Sequence, residues 1–479
     1  MTTLKLILEN IEEHPRCEHG PTILFHRTDE KGNTLEKYYS CSASRSGKCS
    51  IKIAVNSSSV RSQAKSDPIK QPGTFKKYEE IRKAEPEAKF FCFNCQALSL
   101  KSDLDNHSGH TVRTNLKKTD ILQPTQFLTP LSENGDEAQY FFSEKTLECF
   151  VKLFNELGIT KVICMGAPRL HEHLLTKTNT DSLMLDIDKR FYYFYDCNKF
   201  LRYNMFNNYF FDGFEAKETF LGFLRNSGLI DKICIFTDPP FGCRTELLAR
   251  SINEINRMYN KTNCVTQHVL PTFWIFPYFM ENYVRTEMPS MEMIDYHVEY
   301  TNHGTYHNKE KGLKHGSPVR FFTNILQELI RLPKDQGYVY CKQCRRSVHK
   351  TNKHCKICNS CTSKNGSTYK HCTKCNWCVK PNYIHCQKCG RCTQRQDHEC
   401  NIYSAQLSCR ICSKKGHTER KCSFWKLHNV KIHNGGCLVC GSSKHTLCEC
   451  SKRKQILKEF CFLGKIYNEM NDGVSQTMI

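Results

Sequence analysis

Apolar positions along this chain fall into two kinds of run. Four runs are short and nearly unbroken: residues 161–165 read Lys-Val-Ile-Cys-Met, 182–185 Ser-Leu-Met-Leu, 233–236 Ile-Cys-Ile-Phe and 272–279 Thr-Phe-Trp-Ile-Phe-Pro-Tyr-Phe. Runs of this length without alternation predict strands buried on both faces, as in a parallel sheet. Between 143 and 157 the apolar positions recur at helical spacing, which predicts an amphipathic helix. Ser143 and Glu144 suit its first turn, Gly158 ends it, and Gln139-Tyr140-Phe141-Phe142 leads into it. Segments 293–300 and 319–323 are β-rich and predict an antiparallel edge pair joined by a His-, Lys- and Gly-rich loop. Strands alternating with helices and finishing in such a pair predict one α/β domain over 121–330. Nearer the N-terminus, 22–26 and 35–39 predict two short strands around a Lys31-Gly32-Asn33 turn. Residues 56–88, opening Asn-Ser-Ser-Ser and later carrying Lys76-Lys77, are polar and predict a linker; 456–479 predict a polar C-terminal tail.

Charge and cysteine content add partners and metal. The 479 residues suffice for two to four domains. Lys and Arg number 69 against 48 acidic residues, a net charge of +21. That excess favours a polyanion, most simply nucleic acid, with an acidic membrane surface as the alternative. No apolar run approaches the length of a membrane span, and Met-Thr-Thr-Leu-Lys lacks a signal-peptide core, so a soluble intracellular protein is expected. The 31 cysteines are many for a reducing compartment, and C-x2-C pairs with nearby histidines point to zinc rather than disulfides. Twenty of them lie at or beyond Cys341, so composition divides the chain there.

In residues 1–55, Cys17, His19, Cys41 and Cys49 would close one tetrahedral zinc site, a chance set of Cys and His being the alternative. Their spacing, with Tyr38-Tyr39 just before Cys41, resembles the GRF zinc finger, whose modules bind single-stranded nucleic acid. Within 56–120, Cys92, Cys95, His107 and His110 form C-x2-C-x11-H-x2-H, close to the C2H2 pattern with a short His spacing. A lone finger of this kind specifies zinc better than base sequence, and a structural or RNA-contacting clip is expected.

Residues 336–402 repeat one unit three times after an opening Cys341-x2-Cys344 pair. Interlocked sites are expected, each C-x2-C closed by the His and the last Cys of the next unit. The ligand sets are then Cys341, Cys344, His354 and Cys361; Cys355, Cys358, His371 and Cys378; Cys372, Cys375, His385 and Cys392; and Cys386, Cys389, His398 and Cys400. The segment resembles the cysteine-rich domain of DHHC palmitoyltransferases, but Glu399 replaces the second His and no membrane spans accompany it, so a structural zinc module is expected. In 403–455, Cys409, Cys412, His417 and Cys422 form a CCHC zinc knuckle, a single-stranded RNA-binding module. Cys437, Cys440, His445 and Cys450 repeat that spacing, with Cys448 as a competing ligand. Eight zinc ions would engage 23 of the 31 cysteines, leaving the rest mainly as small buried thiols.

The central domain carries the candidate chemistry. Asp238-Pro239-Pro240-Phe241 ends the run at 233–236, where prolines stop the ladder and leave carbonyls free to point outward. Strand ends of this kind are where open α/β sheets bind ligands. The Asp238 carboxylate and the Pro239 carbonyl can accept both hydrogens of an exocyclic amine, and Phe241 can stack on its ring. Gly166-Ala167-Pro168-Arg169 follows the first strand, and Gly166 permits close backbone approach. No full G-x-G-x-x-G is present, so the dinucleotide fingerprint is absent. Asp186 and Asp188, at the end of the second strand, stand where ribose hydroxyls are gripped; a solvated turn is the alternative. Tyr203, Asn204, Met205 and Phe206 form an aromatic and amide cluster suited to an adenine, or equally a buried loop.

Asp-Pro-Pro-Phe is similar to the tetrapeptide of methyltransferases that act on adenine N6. Taken with Gly166-Ala167-Pro168-Arg169, Leu185-Asp186-Ile187-Asp188, Tyr203-Asn204-Met205-Phe206-Asn207 and the order of zinc modules, nearly the whole chain resembles the ribosomal RNA adenine-N6 methyltransferase family. The resemblance implies a class I (Rossmann-like) methyltransferase domain, S-adenosyl-L-methionine as cofactor, and N6-methylation of an adenosine in large-subunit ribosomal RNA. On that footing Gly166 and Arg169 would contact the methionine part of the cofactor, with Ala167 and Pro168 between them. Asp186 or Asp188 would hold the ribose, Tyr203, Asn204 and Met205 its surroundings, and Gln139 would close the site. Expected partners are ribosomal RNA and RNA-processing or ribosome-assembly proteins, with no membrane; the expected location is nucleus and nucleolus, with the cytoplasm as a second compartment. The alternatives are a zinc-rich RNA-binding protein with an inactive methyltransferase scaffold, and a DNA adenine-N6 methyltransferase.

Overall fold

The computed structural model describes residues 3–29, 32–42, 49, 51–55, 72–131, 139–226, 231–302, 317–375, 377–387 and 391–394. The chain divides into two compact units, Met1–Phe276 with Glu299–Asn308, and Pro277–Val298 with Lys309–Ile479.

The first unit opens with a four-stranded antiparallel sheet of β1 (Thr3–Ile7), β2 (Ile23–Thr28), β3 (Thr34–Ser40) and β4 (Lys52–Ala54), in the order β1-β2-β3-β4. The two short strands expected near the N-terminus are β2 and β3.

Part of the stretch read as a linker is structured. Helix α1 (Pro72–Lys83) is followed by a 3-10 turn, Pro86–Ala88. Tyr78 and Ile81 are buried, Phe75 packs beside them, Tyr78 stacks on Tyr192 at 5.3 Å, and Arg82 Nη1 donates to the Tyr192 carbonyl at 2.6 Å. The polar count concealed a narrow apolar stripe of Phe75, Tyr78 and Ile81, three residues apart on one helix face.

The C2H2-type pattern also takes a different form. Strands β5 (Lys89–Cys92), β6 (Ala97–Leu100) and β7 (Val112–Arg113) make a small sheet, and His107 ends a 3-10 helix, Lys101–His107. Among the described residues this module has no recognition α-helix of the kind a C2H2 finger lays in a groove.

The central α/β region follows the pattern of apolar runs. Helix α2 (Glu144–Leu157) is capped by the Ser143 hydroxyl, which accepts from Thr146 N, and stops at Gly158 with φ of 68°. Then come β8 (Lys161–Met165), α3 (Pro168–Lys177), β9 (Asp181–Asp186), β10 (Phe200–Asn204), β11 (Tyr209–Phe210), α4 (Phe214–Leu224), β12 (Ile233–Thr237), α5 (Thr245–Thr262) and β13 (Thr272–Pro277). The order is β11-β10-β9-β8-β12-β13, parallel from β10 to β13, with β11 antiparallel at the edge. Strands β8 and β12 are buried along almost their whole length, which is why they read as unbroken apolar runs. Successive strands depart in opposite directions from β8, so the crevice for ligands opens at its carboxyl end. The last expected strand is shorter than its apolar run: Pro277 ends it and a 3-10 turn, Tyr278–Met280, follows.

In the second unit, α6 (Glu281–Glu287) precedes β14 (Glu292–Ile294), which pairs antiparallel with β15 (Val319–Thr323). The intervening residues 303–316 lie outside the described set. Four hairpins then follow: β16 (Tyr338–Cys341) with β17 (Arg346–His349), β18 (His354–Cys355) with β19 (Ser360–Cys361), β20 (Lys370–Cys372) with β21 (Trp377–Val379), and β22 (Ile384–Cys386) with β23 (Arg391–Thr393).

Because α1 closes a core, Ile81→Ala should lower the urea-unfolding free energy of the chain by about 2–5 kcal/mol, as large-to-small core changes do. The exposed Glu80→Ala on the same helix should stay within about 0.5 kcal/mol. Equal effects of the two would show that α1 is the linker its composition suggests.

Candidate active site and metal centres

The ladder between β8 and β12 builds the site. It runs from Lys161↔Ile233 to Met165↔Thr237, and Asp238 N extends it by donating to the Met165 carbonyl at 3.1 Å. Asp238 and Gly166 are therefore side by side at the strand ends. Gly166 has φ of +66°, and a Cβ there would lie 2.7 Å from Met205 Cε and 3.1 Å from the Asp238 carbonyl oxygen. Only glycine fits that turn without displacing the wall. The Pro240 carbonyl is taken by Cys243 N at 2.9 Å, whereas the Pro239 carbonyl accepts no hydrogen bond among the described residues.

A pocket opens here, lined by Gly166, Pro168, Asp186, Tyr203, Asn204, Met205, Asp238, Pro239, Pro240 and Gln139, together with Ser42, Leu131, Tyr140, Ile187 and Phe206. Asp238 is half-buried, and burial raises its carboxyl well above the usual carboxylate range. A hydrogen bond of 2.8 Å from the Tyr300 hydroxyl to Asp238 Oδ1 acts against that shift. Burial, then the Asp238 charge, raises the Tyr300 phenol far above its ordinary value, so it stays a donor. Tyr300 is fixed by an antiparallel bridge to Phe142, by Ser143 N donating to the Glu299 carbonyl, and by Thr301 N donating to the Phe141 carbonyl.

Asp186 is buried at the end of β9, accepts from Asp188 N at 2.9 Å, and is pushed up to about 7 by burial and then by the neighbouring Asp188 charge. It is a carboxylate whose charge gains from hydroxyl donors.

Several expected site residues have other work. Asp188 does not line the pocket: it accepts from Arg190 Nη2 at 2.6 Å, Arg190 Nε at 2.9 Å and Gln139 Nε2 at 3.0 Å. Of the two acids, only Asp186 lines the pocket. Arg169, also outside the lining, donates to Thr125 Oγ1 at 3.0 Å and lies 3.9 Å from the buried Glu172. Ala167 is the residue before α3 and is buried. Phe241 stacks on Tyr140 at 5.8 Å, and it is Tyr140 that lines the pocket. Asn204 lines the pocket, but its amide nitrogen donates to the His19 carbonyl at 2.7 Å and to Ser42 Oγ at 3.1 Å, while its oxygen accepts from Phe206 N. It has no donor left for an adenine.

Sequence reading missed Tyr300, Tyr140 and Ser42. None sits in a motif, and Tyr300 and Ser42 lie far along the chain from the strand ends they reach.

Five sets of expected zinc ligands converge, the atoms of each set lying within 4.8 Å of one another: Cys17, His19, Cys41 and Cys49; Cys92, Cys95, His107 and His110; Cys341, Cys344, His354 and Cys361; Cys355, Cys358, His371 and Cys378; and Cys372, Cys375, His385 and Cys392. Soft thiolates with imidazole in sets of four suit structural zinc. Strand register explains the interlock. His354 pairs with Cys361, His371 with Cys378 and His385 with Cys392 across their hairpins, so each hairpin closes the preceding site. Cys386 is described, but Cys389, His398, Cys400, Cys409, Cys412, His417, Cys422, Cys437, Cys440, His445 and Cys450 lie outside the described residues.

A family model described as probable N6-adenine methyltransferase matches residues 133–325. The chain is 38% identical over 429 residues to the Homo sapiens protein named rRNA N(6)-adenosine-methyltransferase ZCCHC4, covering 85% of this chain and 82% of that protein. The Xenopus tropicalis protein of the same name is 39% identical over 447 residues, covering 89% of this chain and 90% of its own length. The Mus musculus protein is 37% identical over 358 residues, covering 71% of this chain and 70% of its own.

Elemental analysis of the full chain should find at least five zinc ions per molecule, one for each converged set. His371→Ala should lower the count by one; a wild-type total below five would overturn the reading of all five sets as zinc sites.

Proposed function

The chain belongs to the ZCCHC4 family of rRNA N(6)-adenosine-methyltransferases, and on that footing we propose that it transfers a methyl group to N6 of an adenosine in ribosomal RNA, specifically of the large subunit. The observation that carries the reading is the pair of acceptors at the end of β12: the Asp238 carboxyl, oriented by Tyr300, and the unengaged Pro239 carbonyl.

The pocket suits S-adenosyl-L-methionine. The Gly166 turn leaves room that a Cβ would fill, and Asp186 offers a buried carboxylate to ribose hydroxyls. Gln139, Pro168 and Met205 complete the walls around these two. When bound, this cofactor supplies the methyl group as an electrophile at a sulfonium.

The residues of the chain do the positioning. An adenosine must leave its stack to reach the pocket, which favours loops or unpaired RNA. Asp238 and the Pro239 carbonyl then accept the two N6 hydrogens, which draws the nitrogen lone pair out of the ring and aims it at the methyl group. Tyr140, backed by Phe241, offers the flat face for the base. After transfer the nitrogen holds one hydrogen too many, and Asp238, with its raised pKa, is matched to take that proton. Holding the partners in line is the main source of rate. The excess of basic residues and the zinc modules supply the grip on RNA. This reading carries with it the nucleus and nucleolus as the place of work, and ribosome-assembly proteins as neighbours.

Labelled S-adenosylmethionine incubated with total cellular RNA, followed by nucleoside analysis, should place label in N6-methyladenosine of large ribosomal RNA. Asp238→Ala should cut this by about 10²–10⁴-fold, with zinc content and RNA affinity within about twofold of wild type; unchanged turnover would end the reading. The pH profile gives a second check. The ionised Asp238 is the acceptor, so activity is lost as pH falls through its raised pKa and recovered as pH rises. Tyr300 lowers that pKa, so Tyr300→Phe should move the acid limb to higher pH and reduce the plateau by about tenfold. An acid limb that stays put would remove Asp238 as the group being titrated.

A further inference from the structure

Ser42 belongs to the N-terminal zinc finger and yet lines the pocket at the strand ends. It directly follows Cys41, one of the four converged ligands that also include His19. The finger is seated firmly on the α/β region. Leu8, Ile23 and Phe25 share an apolar cluster with Leu247 of α5, and Arg250 Nη2 donates to the Leu8 carbonyl at 2.7 Å. Asn207 Nδ2 donates to the carbonyls of His19 at 3.1 Å and Pro21 at 2.9 Å. A Cβ on Gly20, whose φ is +93°, would lie 2.5 Å from the Tyr209 ring, so the finger backbone and the β10–β11 hairpin are in close contact.

The hydrogen-bond count at Asn204 decides what the finger contributes. An amide nitrogen has two donors, and both go to the finger: one to the His19 carbonyl at 2.7 Å, one to Ser42 Oγ at 3.1 Å. Because Ser42 Oγ accepts from Asn204, its own proton must point elsewhere. Among the described residues that proton has no acceptor, and Ser42 lines the cavity. Asn204 thus hands its donor function to Ser42, which directly follows Cys41 of the converged ligand set.

We propose that Ser42, delivered by the N-terminal zinc site and oriented by Asn204, is a cofactor-contacting residue that donates a hydrogen bond to an acceptor atom of the bound nucleoside. The proposal rests on the methyltransferase reading. It makes cofactor affinity depend on a metal site outside the α/β domain. Without zinc at Cys17, His19, Cys41 and Cys49 the segment carrying Ser42 loses its fixed shape, since a metal site of this size and its fold form together.

The test is calorimetric titration of the full chain with S-adenosylhomocysteine, with zinc counted in each variant. Ser42→Ala should weaken binding by about fivefold to tenfold, the worth of one hydrogen bond, and Ser42→Thr should recover most of it. Ser42→Leu, which intrudes on the pocket, should weaken binding by more than about tenfold with the zinc count unchanged. Cys49→Ser should lose one zinc ion and a comparable share of affinity. Wild-type affinity in Ser42→Leu overturns the proposal whatever Cys49→Ser does. A wild-type chain that binds no S-adenosylhomocysteine at all overturns the methyltransferase reading, and this inference with it.

Discussion

One backbone hydrogen bond past the end of a parallel ladder fixes the centre of this molecule. Asp238 N donates to the Met165 carbonyl, carrying the β8–β12 pairing one residue beyond the last strand pair, Met165↔Thr237. It places the carboxyl that ends one strand beside the glycine turn that ends the other. Side chains alternate faces along a strand, so a slip of one residue would turn Asp238 away from Gly166 altogether. The register is protected by burial: neither strand has a polar face along which to slide. Prolines then forbid further pairing, which leaves the Pro239 carbonyl without a hydrogen-bond donor among the described residues.

Holding an acid there has an electrostatic cost, which the surroundings manage unequally. Asp238 and Asp186 are both raised by burial. Asp238 has Tyr300 to favour its charged form, while Asp186 has a neighbouring carboxylate that opposes it. Asp188 is the hub of a cage formed by Arg190 and Gln139. Two acids two residues apart thus have different duties because one points into the pocket and the other into a guanidinium.

Outside the α/β sheet the physical logic changes. The hairpins are short, and sets of Cys and His that could hold metal ions converge on them. Cross-strand pairing of His354 with Cys361 and of His371 with Cys378 makes each of these two hairpins part of two sites. The N-terminal finger is different again, because it also packs apolar residues on α5 and so becomes part of the pocket wall.

The sequence by itself determined whatever rests on local pattern. The unbroken apolar runs marked β8, β9 and β12, helical periodicity and caps marked α2, and ligand spacing marked five zinc sets that the fold brings together. Asp238, Pro239, Gly166 and Asp186 were readable for the same reason, since each sits at a strand end that the pattern defines. Helix α1 was hidden because its apolar stripe is only three residues wide within a polar stretch. Tertiary structure alone decided which side chains meet. It brought Tyr300 to Asp238 and Ser42 to Asn204 across 62 and 162 residues of chain. It left Asp188, Arg169 and Phe241 outside the pocket lining, bonded or stacked to Arg190, Thr125 and Tyr140. Such pairings depend on how the backbone returns on itself, and a long-range return leaves no period or spacing in the sequence to read.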